Sequence, residues 1–231
     1  MSVPQLPLTL RYPPDQRLEN HLGAAPGVLG CLQAMAAGSL GDWLYLVGAA
    51  STGKTHLALG LCAATEQAGR QAAYLPLHAA RGRVAAALEG LEHRQLVALD
   101  GLEQVAGSRE DEVALFDFHN RARAAGITVL YTARSAPDGL GLVLPDLRSR
   151  LSQCTRLTLE PLDDEGRAAV LRDRAQRRGL SLDEAAIDWL LARSERELST
   201  LLGLLDQLDR ESLAAKRRLT VPFLRRVLGG L

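Results

Sequence analysis

Residues 48–55 read Gly-Ala-Ala-Ser-Thr-Gly-Lys-Thr, which matches in full the phosphate-binding loop pattern G-x-x-x-x-G-K-[ST]. Gly48 and Gly53 allow the backbone to curl so that successive N–H groups point inward at phosphate oxygens. Lys54 can reach the β- and γ-phosphates of a nucleotide, and the Thr55 hydroxyl can ligate Mg²⁺. The pattern predicts a nucleotide-binding stretch made of Gly48, Ala49, Ala50, Ser51, Thr52, Gly53, Lys54, Thr55 and His56.

The residues on either side of this loop have the patterns that such a site needs. Residues 43–47 form an apolar run typical of a buried strand, and residues 55–68 predict a helix whose N-terminus would face the phosphates. The chain has only two lysines against 25 arginines, and one of the two is Lys54, where a compact point charge suits the phosphates. A chance glycine turn is the alternative, which the order strand, loop, helix disfavours.

An acidic residue ends a second apolar strand. Residues 96–99 lead into Asp100, a pattern typical of the strand that lies beside the first and holds Mg²⁺ through water. An aspartate that merely starts a turn is the alternative. Many such ATPases have a second acid next, which activates the attacking water, but here that residue is Gly101. Because neither Glu103 nor Asp111 stands at that position, we expect tight nucleotide binding and slow hydrolysis.

The chain divides into three regions of different character. Residues 1–15 are rich in proline, which predicts an extended tail. In residues 16–161 strand and helix patterns alternate, which predicts an α/β domain whose parallel sheet is covered by helices on both faces. We expect strands at 43–47, 72–77, 95–99, 127–132 and 157–159, and helices at 28–37, 55–68, 84–91 and 110–125. Residues 162–231 show only helical patterns and predict a small all-helical domain.

Four helices are expected in this last region. Acidic residues open the first, over residues 163–178. Ser181, with Glu184 three residues later, has the form of a capping box for a helix to about residue 192. Leucines between 198 and 208 fall on one face of a third helix, and Thr220 caps a short last one.

Composition excludes several classes of protein. The chain is 47% hydrophobic and 23% charged, which is typical of a globular protein, and its net charge of zero gives no overall basic footprint for nucleic acid. Cys31, Cys62 and Cys154 are isolated, as reduced cytosolic thiols are. No apolar run approaches the length of a membrane span, and the N-terminus lacks the order of a secretory signal. We expect a soluble cytoplasmic protein with no membrane partner.

Longer segments carry a resemblance to a known family. They are Gln5-Leu6-Pro7-Leu8-Thr9-Leu10, the strand 96–100, Leu115-Phe116-Asp117-Phe118-His119-Asn120-Arg121, Leu144-Pro145-Asp146-Leu147-Arg148-Ser149-Arg150-Leu151 and Leu204-Leu205-Asp206-Gln207-Leu208-Asp209-Arg210. Together with the phosphate loop, they make the chain resemble the DnaA-like branch of the AAA+ proteins. Within that branch it is most similar to the regulators that inactivate the bacterial replication initiator DnaA. The resemblance covers nearly the whole chain and implies an AAA+ sheet followed by a helical lid domain.

The resemblance implies roles for four more residues. Arg150 matches the arginine finger that reaches the nucleotide of a neighbouring subunit, where such a finger raises hydrolysis by roughly 10³–10⁵ in studied GTPases. Without the resemblance, Arg150 would be read as an ordinary surface arginine. Thr132 matches the polar sensor at the end of its strand, and Arg196 matches the lid arginine that senses the bound phosphates. Arg148 is a weaker candidate for a contact with the neighbour.

The tail matches the short motif by which many bacterial replication proteins bind the sliding clamp. In this interpretation Leu6, Leu8 and Leu10 insert into an apolar pocket, while Gln5 makes polar contacts. Thr9 stands where the family more often has proline. A leucine- and proline-rich tail with no such role is the alternative.

The expected function is a nucleotide-gated regulator of replication initiation, with ADP or ATP and Mg²⁺ as ligands and weak intrinsic ATPase activity at most. Its expected partners are DnaA and the sliding clamp, with possible self-association and with DNA contacted mainly through the clamp. No helix-turn-helix DNA-binding domain follows the helical region, which argues against an initiator that binds the origin. A helicase loader or transposition helper of the same fold is the first alternative, disfavoured by Gly101 and the tail. A small-molecule kinase is the second, disfavoured by the helical domain.

Overall fold

The computed structural model describes Tyr12 and residues 16–193, 197–215 and 219–228. The predicted clamp-binding residues Gln5, Leu6, Leu8 and Leu10 and the predicted lid residue Arg196 lie outside the described residues. No described helix is long and apolar enough to cross a membrane.

In the described part of the chain, five strands form one sheet, in the order β2-β3-β4-β1-β5. They are β1 Leu44–Gly48, β2 Ala72–Pro76, β3 Leu96–Asp100, β4 Thr128–Ala133 and β5 Thr155–Leu159. The pairs β1–β4, β2–β3 and β3–β4 are parallel. All of β4 and the first four residues of β3 are buried, as the centre of a parallel sheet requires. The sequence thus predicted the α/β class and every strand, with the boundaries displaced by one or two residues.

The register of the sheet places three chain segments at one edge. Asp100 pairs with Pro76 of β2, and Leu99 pairs with Tyr131, so that Thr132 is next to Asp100. Leu46 of β1 pairs with Thr132, two residues before the phosphate loop begins. Because the strands are parallel, their carboxyl ends meet here, where open α/β sheets bind ligands.

Among the described residues, six α-helices accompany the sheet. They are α1 Pro26–Ala37, α2 Lys54–Gln67, α3 Leu77–Ala80, α4 Val84–Leu88, α5 Arg109–Ala124 and α6 Pro145–Ser152. The expected helix 84–91 was too long. Gly90 adopts the left-handed conformation with φ 77°, and a separate 3₁₀ turn follows at Leu91–His93. The core is built from buried side chains of the sheet and of α3 to α6, among them Tyr45, Val97, Leu99, Leu115, Phe118 and Tyr131.

The described residues of the C-terminal region form four helices, α7 Asp164–Arg177, α8 Glu184–Arg193, α9 Leu198–Ala215 and α10 Val221–Val227. Each contributes to a second core, which includes Leu171, Ile187, Leu190, Leu201, Leu205, Leu208 and Leu224. The predicted capping box was wrong. The Asp183 carboxylate caps α8 by accepting from Ala186 N at 2.7 Å, so Glu184 is already the first helical residue.

The chain separates into two compact units by its internal contacts. One contains the described residues up to 21, together with 25–47 and 53–158, and the other contains 22–24, 48–52 and the described residues from 159 onwards. The domain boundaries drawn from the sequence, after residues 15 and 161, stay predictions.

Candidate nucleotide site and finger helix

The phosphate loop has the backbone conformation that its sequence predicts. Gly53 adopts the left-handed conformation with φ 89° and is followed at once by Lys54, the first residue of α2. Ser51 also has a positive φ, of 60°, which non-glycine residues adopt rarely and which is typical of residues held in place at functional sites. Within the loop the Thr52 hydroxyl donates to Ala49 O at 3.0 Å. Two left-handed residues within three positions give the loop its tight curl.

Both glycines of the loop are also required for space. A Cβ atom on Gly48 would lie 2.7 Å from the Thr52 hydroxyl and 2.8 Å from the carbonyl oxygen of Leu159. A Cβ atom on Gly53 would collide with the ring of His21. Neither position has room for a side chain, so glycine at both lets the backbone take the tight curl that a phosphate-binding loop needs.

Lys54 is buried, with 9% of its surface exposed. Burial lowers the pKa of its ammonium group, while the nearby carboxylates of Glu103 and Asp100 raise it and Arg134 lowers it further. The net shift is downward because desolvation of the charge outweighs these two carboxylates. A phosphate group beside Lys54 would add further negative charge and so favour the charged form of this ammonium.

Asp100 accepts hydrogen bonds from three side-chain hydroxyls at the edge of the sheet. Thr55 Oγ1 and Tyr74 Oη donate to its Oδ2 at 2.7 and 2.8 Å, and Thr132 Oγ1 donates to its Oδ1 at 2.5 Å. The structure therefore brings together three residues that the sequence predicted separately: Thr55, Asp100 and Thr132. It adds Tyr74 on β2, whose hydroxyl has its pKa raised by burial and then by the charge of Asp100. The apolar pattern around Tyr74 gave no sign of this role.

These oxygen atoms are the ligands that Mg²⁺ prefers. No cluster of three or more His, Cys, Asp or Glu side chains suited to a metal occurs among the described residues. A magnesium ion held by Thr55 and Asp100 would therefore take its other ligands from water and phosphate oxygens, as Mg²⁺ commonly does.

Gly101 stands where many such ATPases have a second acid, and its backbone conformation also favours glycine at this position. Its φ is 88°, in the left-handed region, and its N–H donates to Thr132 Oγ1 at 3.0 Å. This conformation favours glycine, since a Cβ atom at such a φ is strained. The same hydrogen bond holds the Thr132 hydroxyl between Gly101 and Asp100.

The two other acids considered for the base are engaged elsewhere. Glu103 forms an ion pair with Arg134 at 3.2 Å and also accepts from the Arg134 backbone N–H at 3.2 Å. Asp111 is 2% exposed and accepts from Gly82 N at 2.9 Å and Val84 N at 3.4 Å. Of the two, only Glu103 is close enough to influence Lys54.

The predicted finger residue Arg150 stands on α6, outside the group of side chains around Asp100. Leu147 and Leu151 are buried at 0% and 1% exposure and hold α6 on the core. Arg148 and Arg150, on the other faces of the same helix, are exposed. One helix thus combines an apolar side that fixes it and basic side chains that face solvent.

A buried histidine lies near α6. His119 Nδ1 is 3.1 Å from Tyr131 Oη. The rings of His119 and Trp43 meet edge to face, with their centroids 4.4 Å apart. Burial, and then the positive charges of Arg150 and Arg123, lower the pKa of His119 to about 4. The histidine is therefore neutral near pH 7 and adds no positive charge beside the arginines.

Comparison with known proteins identifies the helical region. Residues 164–228 match the family model for the lid domain of Hda. The C-terminal helical region is therefore similar to the lid domain of Hda. The match ends at Leu228, the last described residue, and spans α7 to α10 of the structure.

Solved structures show the fold of the whole chain. Domain III of the Thermotoga maritima replication initiation protein DnaA is similar with a TM-score of 0.78 and 19% identity, over 94% of this chain and 97% of that one. AMPPCP-bound DnaA from Aquifex aeolicus is similar with a TM-score of 0.68 and 19% identity, over 89% of this chain and 70% of that one. The Thermotoga maritima RuvB Holliday junction branch migration motor has a TM-score of 0.65 and 16% identity, over 94% and 72%. The chain therefore has the fold of DnaA domain III, and its residues 164–228 match the lid domain of Hda.

Proposed function

We propose that this chain is a nucleotide-gated regulator of bacterial replication initiation that promotes ATP hydrolysis by DnaA. The Hda lid domain and the DnaA-like fold support the class. The observation that carries the proposal is the exposed Arg150 on a helix seated by Leu147 and Leu151, outside the chain's own magnesium-type site. A guanidinium in that position is available to another molecule's nucleotide.

The chain's own site would bind ADP or ATP with Mg²⁺. The curled loop from Gly48 to Thr55 offers backbone donors, Lys54 offers a positive charge, and Thr55 and Asp100 offer oxygen ligands for the metal. Bound Mg²⁺ would supply neutralisation of phosphate charge. DnaA with AMPPCP bound has the same fold, which supports an adenine nucleotide as the ligand.

Hydrolysis by the chain itself would be slow. Gly101 has no carboxylate to orient water, Asp111 is committed to two backbone amides, and Glu103 is paired with Arg134. Because hydrolysis is slow, a bound nucleotide would then keep the chain in one state for a long time. The identity of the resident nucleotide decides whether the regulator is active.

Arg150 would act in trans. A guanidinium beside the γ-phosphoryl group of a neighbour stabilises the charge that spreads over its oxygens during transfer, and the planar fork can bond two oxygens at once. The short helix α6 offers that group on a rigid element, which limits the loss of side-chain freedom when the partner binds.

We further propose that residues 5–10 bind the sliding clamp, with Gln5, Leu6, Leu8 and Leu10 as the contacts. Tyr12, which follows this motif, lies beside Cys62 and Glu66 of α2, and burial raises the pKa of its hydroxyl. The chain is thus anchored just after the motif, which favours an arrangement in which the motif reaches a partner from a fixed point. Deletion of residues 1–10 should abolish capture by immobilised clamp and leave nucleotide binding unchanged.

The test of the trans role compares two exposed arginines on the same helix. DnaA loaded with labelled ATP is mixed with clamp on DNA and with the wild-type chain, Arg150→Ala or Arg148→Ala, and ADP production is followed. We expect Arg150→Ala to lower stimulation about tenfold or more, and Arg150→Lys to restore little of it. Arg148→Ala should have a smaller effect. Full stimulation by Arg150→Ala would remove the trans role.

A further inference from the structure

Glu112 is a carboxylate with 0% of its surface exposed, one residue after Asp111 in α5. It accepts three backbone hydrogen bonds: from Gly107 N at 2.7 Å and Val143 N at 3.1 Å on Oε1, and from Leu144 N at 2.7 Å on Oε2. Burial of a carboxylate is costly unless its oxygens are satisfied, and charge-assisted bonds to N–H groups satisfy it. We therefore read Glu112 as a structural residue, which holds the two segments that contain these amides.

The segment held most tightly is the start of α6. Leu144 is the N-cap residue of that helix, and its side chain makes no capping bond. Glu112 thus bonds the two amides that directly precede the first helical residue, Pro145. Helix α6 has only eight residues, and helices of that length depend on tertiary contacts for their position.

The side chains of this segment differ in burial, and Glu112 bonds its backbone. Leu142 and Leu144 are each 9% exposed, but Val143 between them is 47% exposed. Apolar packing is non-directional, whereas two hydrogen bonds to consecutive amides fix the path of the backbone. The register at which α6 begins is therefore set by the carboxylate.

We propose that Glu112 is the positioning residue for Arg150: it fixes the first turn of α6 and so the point from which the guanidinium projects. This inference rests on the proposed trans role of Arg150. A displacement of about 1 Å in a catalytic group can cost roughly a hundredfold in rate, so a loose α6 would retain the arginine and lose its effect.

Asp111 provides a matched control, because it is also a buried acid of α5 that accepts backbone hydrogen bonds. It holds Gly82 and Val84, at the start of α4, and among the described residues its carboxylate accepts no hydrogen bond from the start of α6. Glu112→Gln and Asp111→Asn are both isosteric and both replace one acceptor oxygen by an NH₂ group that faces an N–H donor. We expect the two variants to destabilise the protein to a similar extent. They should differ in the segment that loosens: the start of α6 in Glu112→Gln, and the start of α4 in Asp111→Asn.

The experiment measures the melting temperature, nucleotide affinity, hydrogen exchange of the amides from 143 to 150, and stimulation of DnaA in the assay described above. For Glu112→Gln we expect faster exchange in that segment and a loss of stimulation of about tenfold, with nucleotide affinity within about twofold of wild type. For Asp111→Asn we expect exchange in that segment and stimulation to stay near wild type.

The outcomes separate this inference from the proposed function. Full stimulation by Glu112→Gln, or equal losses in both variants, overturns the positioning role. If the wild-type chain does not stimulate DnaA, the trans role fails, and the exchange data still decide whether Glu112 holds α6. If Glu112→Gln does not fold, Glu112→Asp, which keeps the charge but is one methylene shorter, is tested by the same measurements and criteria.

Discussion

Asp100 at the end of β3 and Glu112 in the first turns of α5 are two carboxylates with three hydrogen-bond donors each, and they differ in the kind of donor. Asp100 is half-buried, and its donors are the hydroxyls of Thr55, Tyr74 and Thr132. Glu112 is fully buried, and all its donors are backbone amides. A hydroxyl can rotate to face a metal ion or water, whereas a backbone N–H in a packed loop cannot.

This difference separates an acid that serves a ligand from one that serves the fold. The donors around Asp100 can exchange partners when a ligand enters, so the carboxylate is free to take part in binding. The donors around Glu112 would be left buried and unsatisfied if the carboxylate moved, at a cost of about 1–3 kcal/mol for each group. Burial alone would have marked both acids as unusual, and only the type of donor distinguishes them.

The largest expected effect comes from a change in the candidate nucleotide site, which contains Asp100. Lys54→Ala removes the buried ammonium that would face the phosphates of a bound nucleotide, and we expect nucleotide affinity to fall about a hundredfold or more, since hydrogen bonds to charged groups contribute about 1.5–3 kcal/mol each. The stability of the nucleotide-free protein should hold or rise, because a desolvated charge is lost. Calorimetric titration with ADP and Mg²⁺ measures the first, and thermal unfolding without nucleotide measures the second. Unchanged affinity would show that the loop from Gly48 to Thr55 is not the nucleotide site.

A second prediction compares the two carboxylates directly. Asp100→Asn should lower the magnesium-dependent part of nucleotide affinity about tenfold and change the melting temperature by no more than about 2 °C, because hydroxyls can turn to accept from the new amide. Glu112→Gln should leave affinity nearly unchanged but cost about 1–3 kcal/mol of stability, because an N–H donor cannot turn. Titrations with and without Mg²⁺ and thermal unfolding of both variants provide the data. If Asp100→Asn proves as destabilising as Glu112→Gln, donor type does not separate the two roles.

The sequence picked out more of the residues that meet at Asp100 than of those that meet at Glu112. The loop from 48 to 55 and the acid at 100 are local patterns, each with chemistry tied to fixed spacing, and the register of parallel strands brings them together with Thr132. Arg150 could be assigned only through resemblance, because an exposed arginine among 25 carries no local sign of its role.

What the sequence could not show depends on contacts between distant segments. Tyr74 meets Asp100 across a strand pair 26 residues apart, and the Glu112 carboxylate reaches amides 31 and 32 residues away. No periodicity marks such contacts. The capping box at Ser181 failed for a local reason, since Asp183 also suits the N-cap and lies directly before the helix.

The smallest expected effect comes from placing a new carboxylate beside Asp100. Gly101 has φ 88°, and a Cβ atom there would meet only Gln104 Cγ at 3.4 Å and Glu103 Oε1 at 3.9 Å, so space permits a side chain while the backbone is strained. Gly101→Asp should therefore cost about 1 kcal/mol, since aspartate and asparagine tolerate this region better than other side chains. Gly101→Asn is the matched control, because it carries the same backbone strain without the charge.

Both variants keep the N–H that donates to Thr132, so the polar arrangement around Asp100 is preserved. We expect single-turnover ATP hydrolysis to be faster in Gly101→Asp than in Gly101→Asn by a few fold, because the added carboxylate stands where many ATPases of this fold have their base, and general-base catalysis contributes at most about 10²–10⁴-fold when the geometry is ideal. The gain should fall far short of that range, since the left-handed backbone at residue 101 was not selected to aim a side chain at water. Equal rates in the two variants would mean that the slow hydrolysis expected of this chain has a cause other than the missing acid. The role of the Asp100 region would then have to include the placement of water as well as of Mg²⁺.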